Sequence, residues 1–557
     1  MGILTIQVQG QKMQVKEGTT FYELSKQFDQ DFPHAILIAK QGVNFKELYK
    51  RIKSAEDITF HDVSSGEGRR VYNRGMLFLL ARAVLVVFGK EVRLLVHHSL
   101  RGNIYCELKH HGSEDCVVLT AETLAKIKAE MKKLVEGNLP IIKKSYHKDE
   151  ALRILKEQKM YDRMALLQYR RSSHVSLYEL HGLYDYFYGH MPKSTRGLDV
   201  FDLSLHDSGF LLHTPSKKAP KELTEVHATD KLHNAYMEQL HWFKLMGVSN
   251  VEELNNSLVR GEFGNLIRVN EALHEKKVAN IADNIYRKKD DMKIVLIAGP
   301  SSSGKTSFAN RLCIQLQALG IVAKKLSMDD YFLPFADVPL DEEGNKDLES
   351  VATLDIPLLN DHLKRLIDGE RVELPSYNFV LGKPEYHGHF MQLQEGEIIV
   401  MEGIHGLNDT LTAEIPSENK YKIFISAITQ LNLDNHNRIS TSDCRLLRRL
   451  VRDHRTRGKD AGVTLQFWKK VVEGEEKNIF PYQENADEIF NSSTIYELCV
   501  LKQYAEPLLL AVTAEGEVYD GAQRMIQFLG YFLSAPSTDI PNNSLIKEFI
   551  GGSCFDV

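Results

Sequence analysis

The chain has 557 residues, 43% of them hydrophobic and 26% charged, with 69 basic and 75 acidic side chains and a net charge of −6. That length is too great for one hydrophobic core and implies three or four domains, while the composition excludes a disordered polymer. The near balance of charge supplies no global attraction to nucleic acid, so only a local basic patch could serve that role.

The first residues, Met1 to Val8, alternate like a strand and lack the basic start and apolar core of a signal peptide. Residues 3–62 read as a small β-grasp. Strands over Leu4–Val8 and Lys12–Val15 flank a turn at Gly10-Gln11, a helix opens near Thr19 and Thr20, and short strands follow near Ala35–Ile38 and Ile58–Phe60. The cluster Ser64-Ser65-Gly66-Glu67-Gly68 is a linker candidate. An α+β segment then runs from Arg69 to about Pro215, with a helix over Asn73–Phe88, strands over Val92–His97 and Ile104–Lys109, and a long helix over Ala121–Glu136. The apolar run Met76–Phe88 is interrupted by Arg82 and is too short to cross a bilayer, so no membrane segment is expected. His97-His98 and His110-His111 are adjacent pairs that should point to opposite sides of a strand, which disfavours a shared metal.

The polar, Pro-bearing stretch Thr214–Pro220 marks a second boundary, and residues 222–288 are helical by pattern. From 292 onward strands alternate with helices, which predicts a parallel sheet with right-handed crossovers. The six cysteines, Cys106, Cys116, Cys313, Cys444, Cys499 and Cys554, form no C-x-x-C pair, so a reduced cytoplasm fits better than a disulfide frame or zinc knuckle.

The chemistry concentrates in the second half. An apolar strand from Lys293 runs into Gly299-Pro-Ser301-Ser302-Ser303-Gly304-Lys305-Thr306, a phosphate-cradling loop. Gly299 and Gly304 allow the tight turn, backbone N–H groups from Ser301 to Ser307 face the phosphates, Lys305 reaches the β and γ phosphates, and Thr306 offers its hydroxyl to Mg²⁺. The following helix, Ser307–Leu319 closed by Gly320, aims its positive end at the anion. The next strand, Val322–Ser327, ends in Met328-Asp329-Asp330-Tyr331-Phe332, placing two carboxylates where ligands of open α/β sheets bind, and one could accept a proton from an attacking hydroxyl. A buried strand over Glu397–Gly403 delivers Glu402 to the same edge as an acid to order Mg²⁺. Arg445, Arg448, Arg452 and Arg455 share one helical face, with Arg449 and Arg457 close by. This face suits the spread-out charge of phosphoryl transfer, although a solvated face or contact with RNA phosphates would use the same spacing. Pro375-Ser-Tyr377-Asn-Phe379 is an aromatic segment that faces either a planar substrate or the core.

These motifs, in this order, make residues from about 290 to 535 similar to the uridine kinase and phosphoribulokinase family of P-loop kinases. The resemblance implies ATP and Mg²⁺ as cofactors, Asp329 as general base, Thr306, Asp329 and Glu402 around the metal, and Tyr377 near the substrate, with Asp330, Tyr331 and Glu349 as further substrate contacts. It implies that Lys305, Arg445 and Arg449 act on the phosphates, the arginines as part of a lid continued by Arg455–Asp460, and that Ala486–Asn491 is a late strand near the nucleotide. Asp347-Leu-Glu349-Ser-Val-Ala-Thr-Leu-Asp355 departs from the family's Phe-Asp-His-Pro-type sugar segment, and Gly382 stands near the place of the nucleoside kinase histidine. Those departures keep uridine or cytidine, phosphorylated at the 5′-hydroxyl, beside a sugar phosphate as acceptor.

Residues 1–63 resemble the TGS domain of threonyl-tRNA synthetases, and 69–215 resemble the editing domain of those enzymes. The supporting segment is Tyr186-Phe-Tyr188-Gly189-His190-Met-Pro192-Lys-Ser-Thr195, in which Tyr188 or a neighbour replaces the editing cysteine. Asn73-Arg74-Gly75-Met76-Leu77 lacks the editing domain's His-x-x-x-His, so the resemblance implies a degenerate site without zinc. The expected whole is multidomain α/β: a β-grasp over 1–63, an editing-like α+β domain over 69–215, a helical connector over 216–290, and a P-loop kinase over 291–557. The expected protein is cytoplasmic, an oligomer or a monomer, with RNA or tRNA as a candidate partner of its N-terminal half; an ATP-dependent RNA-binding regulator is the rival reading.

Overall fold

Alternating apolar residues at the start of the chain build a five-stranded sheet in the order Gln11–Lys16, Ile3–Val8, Ile58–His61, Ile38–Gln41, Asn44–Glu47. Ile3–Val8 and Ile58–His61 run parallel and the other pairs antiparallel. Ile6, Val8 and Val15 turn inward onto Phe21, Leu24 and Phe60. The helix Phe21–Ser25 is opened by a capping box between Thr20 and Glu23. This computed structural model describes residues 2–556 except 101, 217–218, 225–229, 341–343, 345, 514–515 and 517.

Several local expectations change. The strand expected at Ala35–Ile38 instead starts at Ile38 and forms a hairpin with Asn44–Glu47. The linker expected at Ser64–Gly68 is the start of a helix, Gly66–Phe88, capped by Ser65 accepting from the Gly68 N–H. Gly68 is required there by close approach, because a Cβ would stand 1.7 Å from the Asp62 carbonyl oxygen. By length and composition this helix could span a bilayer, but Val71, Tyr72, Met76, Phe78, Leu79, Leu80, Ala83 and Val84 are buried in protein, the pattern of a core helix. His97 and His98 do not straddle their strand. A bulge between Val96 and Ser99 breaks the alternation and buries both rings, His97 against Glu107 and His98 against His233. Among the described residues no group of three or more His, Cys, Asp or Glu side chains is gathered around a common metal position.

The second segment carries a four-stranded antiparallel sheet, Asp202–His206, Gly209–His213, Asn103–His110, Val92–Leu100, and a three-stranded one, Leu183–Asp185, His174–Leu180, Ile142–His147. The helix Ala121–Glu136 matches its expected bounds, since its apolar residues Leu124, Ile127, Met131 and Leu134 recur on one face. The stretch Thr214–Pro220 folds back, with the Ser216 N–H donating to Glu222 O; its Lys217 and Lys218 lie outside the described residues. The helical pattern of 222–288 resolves into Asp230–Met246, Val251–Val259 and Phe263–Tyr286, while residues 225–229 of that span lie outside the described residues.

The C-terminal half contains the expected parallel sheet, in the order Ala323–Ser327, Ile398–Gly403, Ile294–Ala298, Lys420–Ser426, Glu488–Asn491. Both of its faces are covered, which is why Ile294–Ala298 is apolar and buried along its whole length.

The halves are not joined by a simple tether. One continuous core runs from Tyr146, Leu155 and Leu167 through Phe243 and Leu254 to Leu447, Leu501 and Phe549. The segment Ile428–Ile439, between the sheet and the arginine-bearing helix, threads into the second segment. Asn432 Nδ2 donates to Val96 O at 2.6 Å, Val96 N donates to Asn435 O at 2.8 Å, and Asn437 Nδ2 donates to Tyr186 O at 2.7 Å. At its centre the buried Arg163 pairs with Asp185 at 2.6 Å and lies 3.8 Å from Asp434, while His436 meets Asp185 at 2.6 Å. Replacing Arg163 by Met leaves these carboxylates without their guanidinium, at an expected cost of about 3–5 kcal/mol. Urea unfolding of the full chain measures this, and an unchanged midpoint would show that the carboxylates do not depend on Arg163.

Candidate active site

The phosphate loop is shaped by close packing at its first glycine and backbone handedness at its last. A Cβ on Gly299 would lie 2.0 Å from the Ile425 carbonyl oxygen of the neighbouring strand, so only glycine lets the chain leave the sheet there. Gly304 has φ 87° and Ser302 φ 59°, so the turn before the helix Lys305–Ala318 passes through the left-handed region twice. Gly304 caps that helix without a side-chain hydrogen bond, which leaves first-turn N–H groups available to an anion. The hydroxyls of Ser302 and Ser303 are buried without a partner among the described residues. Ser307 is engaged otherwise: its N–H and hydroxyl both donate to Glu548, at 3.3 and 2.8 Å.

Lys305 curls back over the loop and donates to Gly299 O at 3.1 Å. Thr306 Oγ1 donates to Glu402 Oε1 at 3.1 Å, bringing together two residues 96 positions apart. Glu402 sits at the end of its strand, as expected, and its carboxyl is pushed up to about 7 by burial, with Asp329 and Glu548 adding repulsion against the attraction of Lys305. Asp329 stands on a short turn, Met328–Tyr331, open to the cleft; the surrounding protein raises its carboxyl, which Lys305 and Arg457 draw down in part.

The neighbours of Asp329 do different work from what their spacing suggested. Asp330 accepts from the Tyr377 N–H at 3.1 Å, so it ties the aromatic strand Ser376–Asn378 to the turn. Tyr331 is a correction. It is buried in the core with its hydroxyl 3.1 Å from His362 Nδ1, because the turn rotates residue 331 away from the cleft, and it is not placed to touch a substrate. Tyr377 is half-buried, its ring edge-on to Phe332 and Phe379, while Phe379 is 70% exposed at the hairpin tip and is not a core residue. Glu349 packs against Gly474 of the helix Ala461–Asn478, within electrostatic reach of Lys305. Its carboxyl is pushed up to about 7 by burial and by Glu475, while Arg449 and Lys305 pull the other way.

The arginines of the helix Thr441–Arg457 divide by depth. Arg445 and Arg448 are buried, not displayed on a lid: Arg445 forms a two-point pair with Glu475 at 2.6 and 2.7 Å, and Arg448 pairs with Glu497. Both also reach the phosphate loop, Arg445 donating to Ser301 O at 3.1 Å and Arg448 to Ser302 O at 3.4 Å. Arg449 donates to Ser301 Oγ at 2.8 Å and to Asp453 at 3.2 Å. Arg452 and Arg457 share Asp453, and Arg455 caps the carbonyls of Glu548 and Phe549. The helix ends at Gly458, with φ 60°. Sequence reading missed Glu475, Glu497 and Glu548, for each lies 30 or more positions from its arginine or loop partner and belongs to no motif.

Residues 294–497 match the model of the phosphoribulokinase / uridine kinase family. The uridine kinase of Deinococcus deserti is 27% identical over 179 residues, 32% of this chain and 77% of its own. That of Halobacterium salinarum is 28% identical over 196 residues, 34% of this chain and 76% of its own. A solved structure of a possible uridine kinase from Bacillus stearothermophilus aligns over 36% of this chain and 89% of its own at 20% identity, with a TM-score of 0.24.

Because the Glu349 carboxyl titrates near 7 rather than at its ordinary 4.5, the folded chain holds its proton to higher pH than the unfolded chain does, and stability is lost as pH rises through that window. Glu349→Gln removes the loss. The variant is expected to melt higher than the parent at pH 8, with the difference closing toward pH 5. A difference independent of pH in thermal unfolding would contradict this placement of Glu349.

Proposed function

We propose, from the premise that residues 294–497 are a domain of the phosphoribulokinase / uridine kinase family and that the protein is a phosphotransferase, that it is a nucleoside kinase moving the γ-phosphoryl group of ATP to the 5′-hydroxyl of uridine or cytidine. The observation that carries this reading is the convergence of Lys305, Thr306, Asp329 and Glu402 on one loop from three separate strands and turns. In it, the N–H groups of Ser302, Gly304, Lys305 and Thr306 hold the phosphates, the Ser301 N–H being taken by Glu475, and Lys305 leaves Gly299 O for them. Arg449 stabilises charge on the transferring group, with Arg445 holding the loop beneath it. Asp329 takes the proton of the attacking hydroxyl.

Mg²⁺ fits the residues present. A hydroxyl and a carboxyl already in contact, with two further acids raising the carboxyl's pKa, form an oxygen donor set short of positive charge. Thr306 and Glu402 would hold the ion, with Asp329 near, and it would neutralise phosphate charge. On the acceptor side Tyr377 offers a ring edge and Glu349 a carboxyl, and Asp330 ties the Tyr377 strand to the Asp329 turn. The altered Asp347–Asp355 segment keeps a sugar phosphate as the alternative acceptor. The rival RNA-regulator reading loses Arg445 and Arg448, which face inward, from the arginine face it draws on. We read residues 1–63 as TGS-like and 69–215 as a degenerate editing-like domain of a cytoplasmic protein. In the second, His190 lies 3.7 Å from Glu67, which Arg70 and Arg74 also engage.

Asp329→Asn is expected to keep ATP binding while turnover falls by about 10²–10⁴-fold. The measurement is ADP release from Mg·ATP against a panel of ribonucleosides and sugar phosphates, with Lys305→Ala as blank. Turnover with neither uridine nor cytidine would overturn the nucleoside assignment, and normal turnover in Asp329→Asn would remove Asp329 as the base.

A further inference from the structure

The helix Ala461–Asn478 buries Ala461, Thr464, Trp468, Val471 and Glu475, a single face at helical spacing. Glu475 is the unusual member of that face, a fully buried acid (0% exposed) directed at a loop built to receive anions. Its Oε1 accepts from the Ser301 N–H at 2.8 Å and from Arg445 Nη1 at 2.6 Å, and its Oε2 accepts from Arg445 Nη2 at 2.7 Å. Arg445 in turn donates to Ser301 O at 3.1 Å, and Arg449 to the Ser301 hydroxyl at 2.8 Å. Every polar group of Ser301 is therefore held from the same pair of helices. Trp468, two turns before Glu475, lies against both guanidinium groups, 5.4 Å from Arg445 and 5.9 Å from Arg449.

A carboxylate beside a triphosphate repels it, so attraction to nucleotide does not account for Glu475. Its charge is matched by the Arg445 fork, and what remains is a directional acceptor on the first N–H of the loop. The next residue, Ser302, adopts φ 59°, a conformation that a non-glycine residue keeps only when its neighbours enforce it. We infer that Glu475 is a positioning residue for phosphoryl transfer: by fixing the Ser301 peptide it holds the rest of the phosphate loop in its left-handed turn, with N–H groups aimed at the β-phosphate. This rests on the reading of the loop as an ATP site, but not on which acceptor is phosphorylated.

Removing either partner of the buried pair alone risks misfolding, so the test compares two double variants that leave no unpaired charge. Arg445→Met/Glu475→Gln retains an acceptor for Ser301, and Arg445→Met/Glu475→Leu does not. With the full chain, calorimetry should find Mg·ATP bound at least tenfold more weakly by the Leu double than by the Gln double. AMP, which lacks a β-phosphate, should bind the two within a factor of two, and their thermal midpoints should agree. Equal ATP affinities in the two doubles, or an equal loss for AMP, would assign Glu475 a purely structural role and overturn the proposal. A parent chain that binds AMP but gains nothing from the additional phosphates would overturn the ATP-site reading, and this inference with it.

Discussion

The charge balance around Lys305 is the constraint to which the rest of the site answers. One ammonium group faces Asp329, Glu402 and Glu349, with Glu548 close behind on Ser307. In a partly desolvated cleft such an excess of acid is costly, and the protein expresses the cost as carboxyls raised toward neutrality rather than as more ion pairs. Arginines that might have cancelled the excess are committed elsewhere: Arg445 to Glu475, Arg448 to Glu497, and Arg452 with Arg457 to Asp453. The site is thus left with a deficit of positive charge where a divalent cation would relieve it, while Gly304 itself places no side-chain cap on the helix that follows the loop.

The committed arginines set the geometry. A buried ion pair is a poor source of net stability, because desolvation consumes most of its Coulomb gain, but it has one acceptable orientation. Three such pairs, Arg445–Glu475, Arg448–Glu497 and Asp443–Arg524, lie along one helix and fix its rotation relative to the helices Ala461–Asn478, Glu497–Leu510 and Tyr519–Leu529. With rotation fixed, Arg449 must face Ser301 and Arg455 must reach the carbonyls next to Glu548. The catalytic edge of the sheet and the far C-terminal segment are thereby held in register.

What could be read in advance was what depends on local spacing. The phosphate loop, the strand-end Glu402 and the helix Ala121–Glu136 follow from periodicities and turn residues within a few positions of each other. Tyr331 and Arg445 were legible as residues but not as environments, since a side chain's facing depends on a turn rotation in one case and on an acid 30 positions downstream in the other. The bulge at Val96–Ser99 defeated the period-two argument for His97 and His98, and glycines at Ser64–Gly68 read as a linker because the close contact that requires Gly68 is invisible without Asp62 beside it. The general limit is physical: a motif records what the backbone must do locally, whereas burial and pairing record what the rest of the chain brings to it.

The same limit bears on the N-terminal half, where similarity by segment suggests separable modules and packing says otherwise. The segment Ile428–Ile439 leads directly into the arginine helix, and its Asn432, Asn435 and Asn437 bond to Val96, Asp162 and Tyr186. Asp443, in the first turn of that helix, feels Arg70 and Arg74 as well as its partner Arg524, and Arg74 belongs to the network around Glu67 and His190. Cutting between the halves would leave buried amides and carboxylates without partners on both sides, a penalty no short linker offsets. The second segment is therefore part of the scaffold that orients the arginines.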